Sequence, residues 1–99
     1  NPNFAVFRHP VGKKWFALIM DISKRRLGKE DVIADVVNLK CVPSLISSFC
    51  RDDGIYHAYH MNKANWISVA LDEADEDEIK ALLDMSYTLT MPKIKKTSK

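Results

Sequence analysis

The segment from Tyr56 to Trp66 concentrates the side chains of this sequence that could do chemistry. Nine of its eleven residues are aromatic, His, Asn, Lys or Met. Aromatic rings can stack on bases, amides can bond base edges, and lysine can neutralise phosphate. This concentration predicts a binding site. Alternatively, the aromatic rings pack in the core while His and Asn tie down a long connection through bonds to the backbone.

A second mixture of basic and polar side chains surrounds the first predicted turn, where Arg8, His9, Lys13 and Lys14 lie close together in the sequence. These residues suit phosphate contacts. The two segments together make nucleic acid one candidate ligand.

Metal and nucleophile chemistry are weaker interpretations. His57 and His60 stand three residues apart, and such positions point to opposite faces of a strand. Cys41 and Cys50 are predicted to be unpaired, buried thiols, because two cysteines are too few for a disulfide scaffold. The run of acids from Asp72 to Glu78 is explained by helix capping and dipole compensation. We therefore expect no metal, no cofactor and no enzymatic activity.

The elements that must position these residues follow from hydrophobic periodicity. Residues 4–9 and 14–22 predict a β-hairpin, and the second strand, apolar on both faces, belongs near the middle of a sheet with Phe16, Leu18 and Met20 facing helices. A third strand is expected over residues 32–41, and Asp35 and Asn38 within it suggest a bulge or a start only near Asp35.

The second half of the chain predicts two helices and further extended structure. Pro43 opens a short helix that Asp52, Asp53 and Gly54 end. Residues 55–63 form an irregular or short extended stretch, and residues 66–71 form a strand. Asp75 caps a last amphipathic helix, with Glu78 completing a capping box, and this helix reaches Tyr87 or Leu89.

Length, composition and charge limit the number of domains and the class of protein. The 99 residues, 46% hydrophobic and 28% charged, fit one globular domain over residues 1–91, followed by a basic tail at 92–99. The formal charge is only +2, but residues 1–63 hold 10 basic and 6 acidic side chains, and residues 64–91 hold 1 and 7. The longest uncharged apolar run, residues 15–20, is far too short for a membrane span. Without a visible leader, the chain is expected to be cytoplasmic.

Five separated blocks, in this order, resemble the signature segments of the MmcQ/YjbR family of small bacterial proteins. They are residues 4–9 (FAVFRH), 14–21 (KWFALIMD), 38–41 (NLKC), 59–66 (YHMNKANW) and 77–87, which contains DEI and DMSY. The resemblance covers nearly the whole chain. The family usually has a histidine where this sequence has Asn65, and most members carry a leading helix before the first strand.

The resemblance implies an α+β fold like that of secretion chaperones, an antiparallel sheet with helices packed on one face. It also implies DNA binding, the label that family members commonly carry. The candidate nucleic-acid-binding residues are then Arg8, Lys13, Lys14, Arg25, Arg26, His60, Asn62, Lys63 and Trp66. Two alternative functions stay open. The chain could be a module that binds a protein partner or a second copy of itself, or it could bind a small molecule in a pocket under the Tyr- and His-rich segment that begins at Tyr56.

Overall fold

A computed structural model describes residues 4–50 and 54–92 of the chain. The elements are β1 (Phe4–Arg8), β2 (Trp15–Ser23), β3 (Ile33–Lys40), α1 (Ile46–Phe49), β4 (Ile55–His57), β5 (Trp66–Ala70) and α2 (Glu76–Leu89), with 3₁₀ turns at Lys24–Leu27 and Pro43–Leu45. All pairings are antiparallel, and the strand order is β1-β2-β3-β5-β4. The predicted α+β class and the hairpin are confirmed. No helix in this part of the chain is long and apolar enough to cross a membrane.

One face of the sheet packs against the helices. Leu82 of α2 and Ile46 of α1 close over a cluster of strand residues: Ala17, Val37, Leu39, Ile55, Ile67 and Val69. The predicted cap of α2 is confirmed, since the Asp75 carboxylate accepts from the backbone N–H groups of Asp77 and Glu78. Burying this apolar layer is the main term that holds α2 on the sheet.

The opposite face, which we call the open face, carries a second cluster made of Leu18, Met20, Ile22 and Val36. The expectation that Leu18 and Met20 face the helices is therefore wrong. The register shifts between Phe7 and Arg8, which pair with Ala17 and Trp15 and leave Phe16 without a partner on β1. Because this extra residue moves the alternation by one position, Phe16 packs with the helix layer as predicted while Leu18 and Met20 turn away from it.

The third strand also differs from its prediction. It starts at Ile33, neither one residue earlier nor at Asp35, and it pairs with β2 in unbroken register from Ile33 to Leu39, so no bulge lies there. Asn38 is instead fully buried within it. The helix after Pro43 is short, a 3₁₀ turn followed by α1, and Asp52 and Asp53 lie outside the described residues.

Two polar contacts fasten the C-terminal half of α2 to the sheet. The buried Ser86 hydroxyl donates to the Phe16 carbonyl at 2.6 Å and accepts from the Lys40 amide at 2.8 Å. It thus bridges β2 and β3 just beyond their last paired residues, Ala17 and Leu39. The buried His9 ring places Nε2 2.8 Å from the Thr90 hydroxyl. Since that hydroxyl donates to the Ser86 carbonyl, His9 Nε2 is the donor to Thr90.

Candidate functional site: the open face of the sheet

Charge divides between the two faces of the sheet. The strand residues on the open face include the cations Arg8 and Lys40 and, within the described strands, no carboxylate. Asp21 and Asp35 lie opposite each other on the helix-bearing face, and the acids of α2 extend that side. Within the described strands, the carboxylates thus lie on the helix-bearing face and the cations Arg8 and Lys40 lie on the open face, which therefore suits an anionic ligand better.

Residues 58–65 cross the open face, and a buried polar cluster holds them there. Ser68 on β5 donates to Asn38 Oδ1 on β3 at 2.5 Å. Asn38 Nδ2 donates to the Tyr59 carbonyl at 2.8 Å, and the Tyr59 amide donates to Ser68 Oγ at 2.9 Å. Both side chains are fully buried, so these bonds satisfy groups that would otherwise be costly to bury. The segment is therefore held against the sheet at Tyr59.

The Tyr59 ring contacts both His60 and Arg26 where this segment meets the Lys24–Leu27 turn. The Arg26 guanidinium carbon lies 5.8 Å from the Tyr59 ring centroid, a cation–π distance. The His60 ring lies on Tyr59 at 4.2 Å between centroids. His60 is exposed and has φ +69°, in the left-handed region that non-glycine residues rarely occupy. An exposed ring held by a strained backbone is a common feature of functional sites.

A concave apolar cavity of about 350 Å³ opens beside this stack. Its lining is dominated by aromatic and sulfur-containing side chains of β1, β2 and the crossing segment: Phe4, Trp15, Met20, Tyr59, His60 and Met61, with Leu18 and Ile22 at its base. Phe4 is 63% exposed and Trp15 is 39% exposed. Flat, apolar groups of a ligand can therefore reach this cavity from solvent.

A charged network anchors the Lys24–Leu27 turn beneath the site. Lys24 is buried, and its ammonium lies 2.8 Å from Asp72 and 2.5 Å from Glu73, whose other oxygen accepts from the Tyr56 hydroxyl. Bonds to Asp72 and Glu73 raise the pKa of Lys24. Burial alone would raise the pKa of Glu73, but the bonds from Lys24 and Tyr56 hold it below its ordinary value. The network fixes the turn that presents Arg26.

The predicted basic residues do not form one cluster. Arg8, Lys13 and Lys14 lie at the β1–β2 turn, whereas Arg25 and Arg26 follow the far end of β2. The eight residue steps along β2 separate the two groups by about 27 Å. Lys63 and Arg26 do converge, since both line a cavity of about 260 Å³ along β4 with His57. Arg25 approaches Asp31 at 4.0 Å in an exposed ion pair.

Asn62 and Trp66 have structural contacts of their own. Asn62 Oδ1 accepts from the Ala64 amide, and its carbonyl accepts from the amides of Asn65 and Trp66. Asn62 thus braces the turn into β5, as the bracing alternative expects. Trp66 is half-buried and lies opposite Lys40 on the open face.

The cysteines and histidines do not assemble a reactive centre within the described residues. Cys41 and Cys50 are both free thiols, with Cys41 buried and Cys50 half-buried. Burial raises the pKa of both thiols, which keeps them protonated and poorly nucleophilic. No group of three His, Cys, Asp or Glu side chains in this part of the chain is arranged to hold a metal ion.

Comparison with known proteins places this geometry in a family. A sequence model of the YjbR family matches residues 1–89. The chain belongs to the YjbR family. The uncharacterised Bacillus subtilis (strain 168) protein YyaQ is 40% identical over 91 residues, which are 90% of this chain and 77% of that protein.

Solved structures agree with this assignment. A crystal structure of a Pseudomonas syringae protein is 40% identical and has a TM-score of 0.85, covering 92% of this chain and 86% of its own. A solution NMR structure, also from Pseudomonas syringae, is 44% identical and has a TM-score of 0.77; the match covers 89% of this chain and 72% of that one. A crystal structure of a Deinococcus radiodurans protein with a DUF419 domain shares the fold. It is 21% identical and has a TM-score of 0.53, and the match covers 89% of this chain and 67% of that one.

Several residues that build the site in this YjbR-family chain were absent from the sequence-based candidates. Trp15 belongs to the open-face cavity. Tyr59, by contrast, lies in the predicted Tyr56–Trp66 segment, and the structure shows that it links Arg26 to His60. Asn38 and Ser68 position the crossing segment. A buried polar residue inside an apolar strand needs a partner, so Asn38 was the detectable signal, but the bulge interpretation misassigned it.

Proposed function

We propose that this chain is a non-enzymatic DNA-binding protein that takes up single-stranded DNA across the open face. The observation that carries the proposal is the distribution of charge along the strands, with Arg8, Lys40 and the exposed Trp15 ring on the open face and Asp21 and Asp35 on the opposite face. Single strands bind where a positive surface lies beside stacking rings. The DNA-binding label that resemblance to the family brings supports the same ligand class.

Each part of the surface has a separate task in this proposal. Arg26 and Lys63 contact phosphates, and Arg8 does so at the opposite end of β2. The exposed His60 ring and the Trp15 ring stack on bases next to the apolar cavity. Asn62 braces the turn, because its amide oxygen accepts from the Ala64 amide.

The spacing of the basic groups favours an extended ligand. About 27 Å separates the Arg8, Lys13 and Lys14 group from Arg25 and Arg26, a distance that several nucleotides of a strand can span. The apolar cavity between the two groups accommodates unstacked bases. A closed duplex exposes no base faces for such stacking, so the single strand is the better ligand.

A matched pair of lysine variants tests the proposal. Lys63→Gln removes a cation from the open side, and Lys80→Gln removes one from α2, where Lys80 pairs with Glu76 at 3.3 Å. Fluorescence anisotropy with a labelled oligothymidine should show weaker binding and a salt slope lower by about 0.7 for Lys63→Gln. Lys80→Gln should match the wild type. Equal losses in both variants, or no binding by the wild type at low salt, would overturn the proposal.

The open-face cavity also supports a second candidate function, the binding of a small apolar molecule. Its volume of about 350 Å³ falls in the usual range of ligand pockets, and its lining is mostly apolar. Met20→Trp fills the cavity from a buried position without altering any charge. A small-molecule binder would lose its ligand in this variant, while phosphate-dominated binding of oligothymidine would keep its salt slope.

A further inference from the structure

The outer strand β1 presents an unprotected edge. It pairs only with β2, at one end of the sheet order, so one row of its backbone amides and carbonyls faces away from the described strands. Phe4 is 63% exposed and Phe7 is 44% exposed. Edge strands are usually blunted by Lys, Pro, bulges or covering elements. Residues 4–7 carry no charge and no proline, and the bulge lies only at the Phe7/Arg8 end.

Among residues 4–50 and 54–92, the neighbouring elements leave this edge accessible. The helix α2 packs across β2 and β3 rather than over β1. The other edge, β4, is only three residues long, and two of them, Ile55 and Tyr56, are buried. The β4 segment also lies against Leu27 and Cys50 along a cavity. An added strand therefore finds room along β1.

The sequence of β1 is complementary to itself in antiparallel pairing. The pairing is seen when a second copy of the chain, the partner subunit, is placed with its Val6 opposite Val6. Phe4 then faces Arg8 of the partner subunit, and Ala5 faces Phe7 of the partner subunit. Directly opposite residues project to the same side. Phe4, Val6 and Arg8 all lie on the open face, since they pair with Met20, Leu18 and Trp15. Each arginine can thus lie over a phenylalanine ring, and each large Phe7 meets a small alanine.

We propose that two copies of this chain associate through β1, joining the five described strands of each copy into one continuous antiparallel sheet about a two-fold axis at Val6. A two-fold axis perpendicular to the sheet places both open faces on the same side of the dimer. The interface is short, so its dissociation constant should be on the order of 100 μM. This association needs only the β1 edge and holds whether or not the open face binds DNA.

Substitutions at the exposed Phe4 test the pairing by charge. Phe4→Lys puts a lysine opposite Arg8 of the partner subunit, whereas Phe4→Glu puts a carboxylate there. Sedimentation equilibrium should show a dimer for the wild type and for Phe4→Glu, and at least a tenfold weaker dimer for Phe4→Lys. The double variant Phe4→Lys with Arg8→Glu should recover association. A wild type that stays monomeric up to about 1 mM would overturn the proposal, and so would equal effects of Lys and Glu.

Crosslinking on the symmetry axis tests the register. Antiparallel partners have Cα atoms about 4.5 or 5.5 Å apart, within the span of a disulfide. Val6→Cys, in a Cys50→Ser background, should therefore form a covalent dimer with itself under mild oxidation. Val11→Cys is the matched control, because Val11 lies exposed in the β1–β2 turn, away from the axis. Equal crosslinking of the two variants would contradict the Val6 register.

Discussion

Ser68 donates a hydrogen bond to Asn38 across β5 and β3, at 2.5 Å, in the fully buried centre of the sheet. The pair also bonds the amide and carbonyl of Tyr59. Two polar residues in the middle of the sheet thus determine where an exposed loop lies. They connect the core of the protein to the surface that we propose binds DNA.

Removing this anchor should destabilise the fold. Ser68→Ala removes the acceptor of the Tyr59 amide and the donor to Asn38 Oδ1. The free energy of unfolding should therefore fall by about 1–3 kcal/mol in urea titrations. Ser47→Ala, on the exposed side of α1, is the matched control and should change it by less than about 0.5 kcal/mol. A comparable small change for Ser68→Ala would mean that the cluster does not hold the segment.

The open-face cluster should behave as a true core. Leu18 is buried against Met20 and Val36, so Leu18→Ala should lower the free energy of unfolding by about 2–5 kcal/mol. Leu45→Ala, at a leucine that is 39% exposed, provides the comparison and should cost much less. Similar losses for the two leucines would contradict the burial of Leu18 under the crossing segment.

The Glu73 network should make stability depend on pH in the acid range. Bonds from Lys24 and Tyr56 hold the pKa of Glu73 in the folded chain below its ordinary value of 4.5. The stabilisation is therefore present above about pH 4.5 and is lost as the pH falls through the folded value. Urea titrations from pH 7 to pH 3 should show a shallower acid loss for Glu73→Gln than for the wild type.

Glu76→Gln is the matched control for this pH dependence. Its carboxylate pairs with Lys80 on the exposed surface of α2, where ion pairs contribute little. The Glu76→Gln curve should follow that of the wild type. If it departs as far as the Glu73→Gln curve, the acid loss comes from the overall charge of the chain and not from the buried network.

His60 should show a separation of binding from stability. Its φ of +69° is unfavourable for histidine and easy for glycine, so His60→Gly should leave the melting temperature unchanged or raise it. The same change removes a stacking ring and should weaken oligothymidine binding by about 5- to 100-fold. His57→Gly, at a regular strand position, should instead lower the melting temperature. If His60→Gly binds oligothymidine with unchanged affinity, the His60 ring does not take part in binding.

The sequence predicts where helices and strands lie better than it predicts which face of the sheet each side chain occupies. The hairpin, the Asp75 cap and the span of α2 follow from local signals, and they are present. The orientation of Leu18 could not be read correctly, because the unpaired Phe16 is defined by pairing with β1, a non-local property. The same limit explains why Asn38 suggested a bulge, since its partner Ser68 stands 30 residues further along the chain.

The candidate site shows a similar limit. Local composition indicated the segment from His60 to Trp66 and the basic residues at both ends of β2. It could not indicate that Arg26 lies over Tyr59, or that the two basic groups stand about 27 Å apart, because both depend on how β2 runs through the sheet. Lys24 precedes the candidate residues Arg25 and Arg26 in the sequence, but its burial with Asp72 and Glu73 makes it an anchor.

Amide chemical-shift mapping can locate the surface of the chain that binds DNA, residue by residue. An oligothymidine should be titrated into ¹⁵N-labelled chain at low salt, with both tryptophan indole signals included. If the open face binds DNA, the signals of Arg8, Trp15 and its indole, Arg26 and residues 59–63 should shift, and those along the exposed side of α2 should not. Shifts confined to α2, or none at any oligonucleotide concentration, would contradict DNA binding by the open face.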